Sequence, residues 1–120
     1  MKHYGTIKIL DLNNQAATGS FDFITGAAGV VAYIVTSDKQ GTPDFTFTLG
    51  AITPNGDHVA LISSAAVVDT NTSLRISVLP GVTAVANVIA NDVVPGRGRF
   101  TYTKNGGGSY DLNVWLAFFG

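Results

Sequence analysis

The sequence predicts an all-β fold: one antiparallel β-sandwich or barrel domain over residues 1–120, with little or no helix. Glutamate, one of the best helix formers, is absent, whereas the β-branched residues threonine and valine are abundant. About eight short strand-like runs recur between turn signals, which is the strand count of a sandwich or a barrel. A chain of 120 residues is long enough to bury a core of its own.

The first half of the chain predicts four strands. They cover residues 6–12, 20–24, 30–35 and 45–49, with breaks at 13–15, 26–29 and 37–43. In the first of them, Ile7 and Ile9 alternate with Thr6, Lys8 and Leu10. The run 30–35 is continuously apolar, which is typical of a strand covered on both faces. The run 45–49 alternates regularly and predicts Phe45, Phe47 and Leu49 facing inward.

The second half predicts further strands at 58–63 and 74–78, after a reverse turn at 54–57 and a polar loop at 69–73. Residues 80–94 are harder to interpret. Val85, Val88 and Ile89 have helical spacing, but β-branched residues and two asparagines disfavour a helix. We expect extended chain there, with one helical turn at most.

The last quarter of the chain, 97–119, predicts a β-hairpin around a glycine-rich break. With Gly107 at the apex, Lys104 faces Tyr110. Counting outward then sorts apolar residues onto one face and polar residues onto the other, which supports this register. The same register places Arg99 opposite Trp115, where a cation–π contact is expected.

The outer face of this predicted hairpin becomes apolar toward the C-terminus. A bare strand of that kind is a template for aggregation, so either the same chain or another subunit must cover it. Aromatic residues and arginine are enriched in the cores of protein interfaces. We therefore expect an interface with another subunit or with a partner protein, formed by Arg97, Arg99, Trp115, Ala117 and Phe119.

Composition narrows the classes of function. The net charge is −1 and 12% of residues are charged, about half the usual share, so no nucleic-acid partner is expected. The small basic segment Gly96–Arg99 lacks the wider positive field of a nucleic-acid binder. The absence of cysteine excludes disulfides and thiolate chemistry. No apolar leader or membrane-spanning run is present, so no membrane partner is expected.

The sequence predicts no catalytic residues, no metal and no cofactor. His3 and His58 have no third histidine or cysteine to complete a zinc site, and a surface or turn role is expected for both. Asp69, Asn71 and Ser73 begin like a calcium loop. The pattern then fails, because Leu74 replaces the required glycine, so we expect these side chains to cap their own loop. Neither a carboxylate pair nor a nucleophile motif indicates an enzyme.

The segment 79–100, above all Ala-Asn-Asp-Val-Val-Pro at 90–95 followed by an arginine-containing strand, resembles capsid decoration, or cement, proteins of tailed bacteriophages. Arg97 and Arg99 occupy the matching arginine positions, and Gly98 stands where a bulky aromatic residue is expected. The resemblance implies a jelly-roll-like sandwich and a non-enzymatic virion structural protein. It also implies assembly in the host cytoplasm, binding to the major capsid protein on the outside of the shell, and a homodimer or homotrimer.

One alternative is a carbohydrate- or receptor-binding β-sandwich module of a phage fibre or tail. Such a module needs exposed aromatic side chains on a concave sheet. Tyr33, Tyr102 and Tyr110 are the candidates, although the predicted hairpin turns Tyr102 toward the core.

Overall fold

Ten β-strands in two sheets make up the computed structural model, which describes residues 2–120. In chain order the strands are β1 His3–Gln15, β2 Gly19–Ile24, β3 Gly29–Gln40, β4 Asp44–Ile52, β5 His58–Ser63, β6 Val67–Val68, β7 Thr72–Val78, β8 Ile89–Ala90, β9 Arg97–Lys104 and β10 Ser109–Phe119. Strands β6 and β8 have two residues each. The other eight strands form the sandwich, so the predicted all-β class is confirmed.

The strand order is that of a jelly roll. The front sheet has the order β1-β10-β3-β7-β8, and the back sheet has the order β2-β9-β4-β5, with β6 paired to β4. The pairs β4–β5, β3–β7, β2–β9 and β1–β10 are nested, as in one long hairpin, and pairing of β3 with β10 and of β4 with β9 rolls that hairpin into two sheets. Every pair is antiparallel except β7–β8, which is parallel.

The predicted C-terminal hairpin is wrong. Strand β9 lies between β2 and β4 in the back sheet, and β10 lies between β1 and β3 in the front sheet. The short segment 105–108 therefore crosses from one sheet to the other. Alternation identified the buried faces correctly, since Phe100 and Leu112 are both buried. These faces, however, meet across the core and not side by side, and alternation alone cannot distinguish the two arrangements.

Two strands extend through segments that the sequence predicts as breaks. Strand β1 continues to Gln15 because Asn14 adopts a left-handed conformation (φ 50°) and donates its N–H to Asp111 Oδ1 at 2.8 Å. Strand β3 continues to Gln40, which pairs with Ser109 of β10. Pairing with β10 thus overrides the local preference of polar residues for a loop.

Residues 80–94 contain turns, β8 and no helix. Val85 O accepts the N–H groups of both Val88 and Ile89, and Asn87 has a positive φ of 61°. This single turn leads directly into β8, which pairs with β7. The prediction of extended chain with one turn therefore agrees with the structure.

The core lies between the inner faces of the two sheets. Phe47 stacks with Phe45 on one side and with Phe100 on the other, at centroid distances of 6.2 and 6.0 Å. Phe23 enters this core from β2 because Gly98, directly opposite on β9, leaves room for its ring. Each fully buried aromatic or aliphatic side chain contributes about 1.5–3 kcal/mol of transfer free energy.

Candidate interaction surface

The predicted contact residues lie on two opposite surfaces. Arg97 and Arg99 are on the outer face of the back sheet, whereas Trp115, Ala117 and Phe119 are on the outer face of the front sheet. The prediction of one shared face is therefore wrong, because it depended on the hairpin. That each residue contacts a partner stays a prediction.

Arg99 forms an ion pair with Asp22. The predicted contact between Arg99 and Trp115 is wrong. Arg99 Nε lies 2.6 Å from Asp22 Oδ1, and Nη2 lies 3.1 Å from Oδ2, a two-point geometry. This hydrogen bonding lowers the pKa of the Asp22 carboxyl, against the opposing effect of burial and with help from the charges of Arg99 and Arg97. The ion pair holds the Arg99 side chain against β2. Of the two arginines on β9, Arg97 is therefore the one available to a partner.

A row of cations and aromatic rings crosses the outer face of the front sheet. Lys8, Trp115, Tyr33 and Arg75 lie side by side on β1, β10, β3 and β7. Lys8 Nζ lies 5.2 Å from the Trp115 ring centroid, so lysine provides the cation–π contact that the sequence assigned to Arg99. Two positive charges thus flank two neighbouring rings.

The next row on this face consists of small side chains. Thr6, Ala117, Val31 and Ser77 lie side by side on the same four strands. Although their side chains face outward, Ala117, Val31 and Ser77 are only 2%, 5% and 3% exposed. Larger side chains on both sides of the row account for this burial.

A second aromatic row borders the small row on its other side. His3 and Phe119 pair across β1 and β10 with ring centroids 5.0 Å apart, and Leu79 lies over Gly29 beside them. Between the two bulky rows lies a depression of about 260 Å³, which we name the aromatic trough. Its lining includes Val31, Tyr33, Arg75, Ser77, Leu79 and Phe119.

The apolar end of β10 is shielded mainly by its own chain. Strand β10 has β1 on one edge and β3 on the other, so no backbone edge of this strand is open to aggregation. Trp115 and Phe119 nevertheless remain partly exposed, and Phe119 lines the trough. As expected, the same chain covers the edges of β10. The outer face of this strand still exposes apolar surface.

The polar candidates from the sequence have structural partners. His3 Nε2 lies 3.0 Å from Thr6 Oγ1, and His58 lies over Gly50. Asp69 Oδ1 is 2.9 Å from Lys39 Nζ, and Asn71 Oδ1 accepts the Lys39 N–H. These two side chains tie their loop to β3, so the prediction that they cap their own loop is wrong.

The three candidate tyrosines differ in exposure. Tyr102 and Tyr110 are buried in the core, and the Tyr110 hydroxyl accepts the N–H of Thr70. Tyr33 is 40% exposed at the rim of the aromatic trough. Tyr33 is therefore the candidate that can contact a ligand or a partner.

Sequence reasoning did not identify Lys8, Tyr33 and Arg75 as one row with Trp115. Each is separated from the others by tens of residues, and only the pairing register of four strands brings them together. The alternation within each strand does indicate which side chains face outward. The order of the strands, which sets the neighbours, is not encoded in any local pattern.

Further findings concern the chain as a whole. Within residues 2–120, no helix is long and apolar enough to cross a membrane. The same residues contain no group of three or more metal-binding side chains. The chain matches no protein-family model, and no curated protein matches its sequence.

Proposed function

We propose that this chain is a non-enzymatic virion structural protein, a capsid decoration protein that binds the outer shell formed by the major capsid protein of a tailed bacteriophage. The resemblance of residues 79–100 to such proteins supports this function. Jelly-roll connectivity also supports it, since viral capsid domains commonly have this fold. The observation that carries the proposal is the aromatic trough on the front sheet.

The trough has the composition of an interface core. Tyr33 and Arg75 line the trough, and Trp115 lies beside Tyr33 on β10. These residue types dominate binding energy in protein interfaces, and the small side chains Val31 and Ser77 leave room in the trough for an inserted side chain. A loop of the shell protein would bury its apolar side chain on Val31 and Leu79. At the ends of the row, Lys8 already pairs with Asp11 at 3.0 Å, so Arg75 is the basic group that would face a carboxylate on the shell.

Binding of this kind stabilises an assembled shell by mass action. A site formed across a junction of shell subunits exists only after assembly, so the decoration protein binds the assembled state and shifts the equilibrium toward it. A stable contact of this type requires about 800 Å² of surface from each partner. The trough would be the centre of such a contact and not its whole extent.

For self-association into a dimer or trimer we propose the outer face of the back sheet. Ile24 is 84% exposed at the end of β2 and lies directly opposite Arg97 on β9. An exposed apolar anchor beside a free arginine is a suitable centre for a subunit contact. Size-exclusion chromatography with light scattering tests this step. We expect an oligomer that Ile24→Ser dissociates, and a compact monomer of the unmodified chain at micromolar concentration would contradict it.

Mass spectrometry of purified virus particles tests the central proposal. We expect the chain in intact particles, its release by a mild denaturant wash, and rebinding of the purified chain to the stripped particles. Its absence from the particles, or a failure to rebind, would refute the function.

Two tyrosine variants test the role of the trough in rebinding. Tyr33→Ser removes a partly exposed ring from the rim, and we expect affinity for stripped particles to fall by on the order of thirtyfold, as at an interface hot spot. Tyr4→Ser is the matched control, since Tyr4 is 59% exposed on β1 and does not line the trough. Equal affinities of the two variants would exclude the trough as the contact.

Glycan or receptor binding by a phage fibre or tail module is the second candidate. The position of Tyr33 at the rim of a depression favours it, because sugars stack on exposed aromatic rings. Saturable binding on a glycan array, lost in Tyr33→Ser and accompanied by no rebinding to stripped particles, would select this function over the first.

A further inference from the structure

Strand β7 has an open edge along its first residues. It pairs with β3 along its whole length, but β8 covers only Ser77 and Val78 on the other side. The hydrogen bonds at this covered end are regular: the Ser77 N–H donates to Val88 O at 2.8 Å, and the Leu79 N–H donates to Ala90 O at 3.0 Å. The edge thus already binds one short extended segment.

Backbone direction alternates along a strand, so Ser73 and Arg75 point their N–H and C=O groups the same way as Ser77. The Thr72 N–H, by contrast, donates to Thr36 Oγ1 on β3. Among residues 2–120, neither the Ser73 N–H nor the Arg75 N–H has a hydrogen-bond partner. Two donors and two acceptors are therefore available next to β8.

Three residues of this part of β7, Thr72, Leu74 and Arg75, line a groove. Its volume is about 520 Å³, with residues 64–68 forming one wall and 86–88 the other. The first wall contributes small apolar side chains, Ala65, Ala66 and Val67, and Leu74 of β7 faces the same space. The chain leaves the edge at Asn87, whose positive φ of 61° turns it away from β7. This turn is what leaves the groove unfilled by β8.

We propose that this recessed edge binds one extended segment of a partner polypeptide, which adds to the front sheet beside β7 in line with β8. Strand addition of this kind uses backbone hydrogen bonds for affinity and alternate side chains for selectivity. A second copy of this chain is a poor occupant, because the walls recess its own β7 edge equally. A single extended strand can enter the groove and pair with β7, because paired strands lie only about 4.8 Å apart.

The chemistry of the occupant follows from the side chains on either side of β7. Residues of the added strand that face the groove meet Leu74 and Val67, so they are apolar and of moderate size. The residue opposite Arg75 faces outward, and Arg75 forms no ion pair with any described residue. An acidic side chain at that position pairs with Arg75. The segment therefore alternates apolar residues with a carboxylate. This site shares Arg75 with the trough contact proposed above, but its backbone groups and its apolar groove are not part of that contact. An extended arm of a partner protein with this alternating pattern fits it.

A peptide titration tests the proposal on the purified full-length chain. The probe is acetyl-Thr-Val-Asp-Val-Thr-amide, followed by NMR amide hydrogen exchange. We expect the free protein to exchange Ser73 and Arg75 amides quickly and the Ser77 amide slowly, with the probe slowing the first two. The same peptide with lysine in place of aspartate is expected to bind on the order of fivefold more weakly. If the Ser73 and Arg75 amides exchange at unchanged rates at the highest soluble concentration of the probe, the proposal is overturned.

Two variants separate strand addition from simple charge attraction. Ser73→Pro removes one edge N–H that the folded chain does not use, and proline is tolerated at such edge positions, so we expect a folded protein that no longer binds the probe. Arg75→Glu is expected to reverse the preference between the aspartate and lysine peptides, which keeps the test decisive if the proline variant is unstable. Self-association that Ser73→Pro abolishes, without any probe binding by the unmodified chain, would assign the edge to a second copy and overturn the proposal.

Discussion

Replacing Gly98 with alanine is expected to destabilise the protein by about 1–3 kcal/mol, the usual cost of overpacking a core. An added Cβ at this position would lie 2.6 Å from Cε2 of Phe23 and closer still to Cζ. The Phe23 ring is 6% exposed and packs edge-on against Phe118 at a centroid distance of 5.9 Å, so it has little room to retreat. The ring or the β9 backbone must therefore move.

Urea denaturation of Gly98→Ala, Phe23→Leu and the double variant measures this contact directly. Leucine lacks the outer ring atoms that the new methyl group meets, so Gly98→Ala should cost little in the Phe23→Leu background. The resulting coupling free energy is expected to be on the order of 1–2 kcal/mol, within the range for residues in contact. In thermal melts, each kcal/mol corresponds to roughly 4 °C for a domain of this size.

Gly26→Ala is the matched control for these measurements. An added Cβ at Gly26 meets no atom within 4 Å, and its φ lies outside the left-handed region. Its stability should therefore change little, or rise slightly because alanine restricts the unfolded chain. Equal losses at Gly98 and Gly26, or a coupling free energy near zero, would refute the explanation that Gly98 is required to admit Phe23.

Two smaller predictions concern polar contacts. Asp22→Asn should reduce the loss of unfolding free energy at acid pH. Arg99 lowers the pKa of Asp22 below its ordinary 3.8, so the charged carboxylate stabilises the fold above that pH, and this contribution disappears as the pH falls. Denaturation at pH values between about 2 and about 5 tests this, and an unchanged profile would contradict it. Ser64→Ala should cost about 1–3 kcal/mol in urea denaturation, because Ser64 Oγ accepts the buried Phe47 N–H at 3.0 Å. The half-buried Ser63→Ala, which loses only a hydroxyl pair, should cost less.

Strands with strong internal patterns were predictable from the sequence. The alternation at 45–49 predicted that Phe45, Phe47 and Leu49 face inward, and the structure confirms this, since all three are buried. The apolar run at 30–35 is a strand as predicted, and β3 lies between β10 and β7 in the front sheet. The prediction that both of its faces are covered is wrong at Tyr33, which is 40% exposed on the outer face. In both cases the information is local: each residue's neighbours in the chain determine which face it presents.

Pairing was not predictable by the same reasoning. A glycine-rich break of about five residues fits a hairpin, yet Gly108 has a φ of 82° and lies against the backbone of Gln40 and Thr42, in a connection that crosses between sheets. Choosing between the two outcomes requires the energy of all strand pairs together. The aromatic trough was missed for this reason, since its rows exist only once β1, β10, β3 and β7 are placed side by side.

A bulge in β1 connects the core to the trough. Lys8 pairs with Trp115 and Leu10 pairs with Val114, so Ile9 is an extra residue on β1. In a regular strand Lys8 and Leu10 would share a face, which is how the simple alternation assigns them. The extra residue turns Leu10 inward, where it packs against the core, while Lys8 stays outside over the indole ring. One inserted residue therefore allows β1 to bury an aliphatic side chain and to place a cation at the aromatic row. The same strand closes the sandwich on one face and contributes to the proposed binding surface on the other.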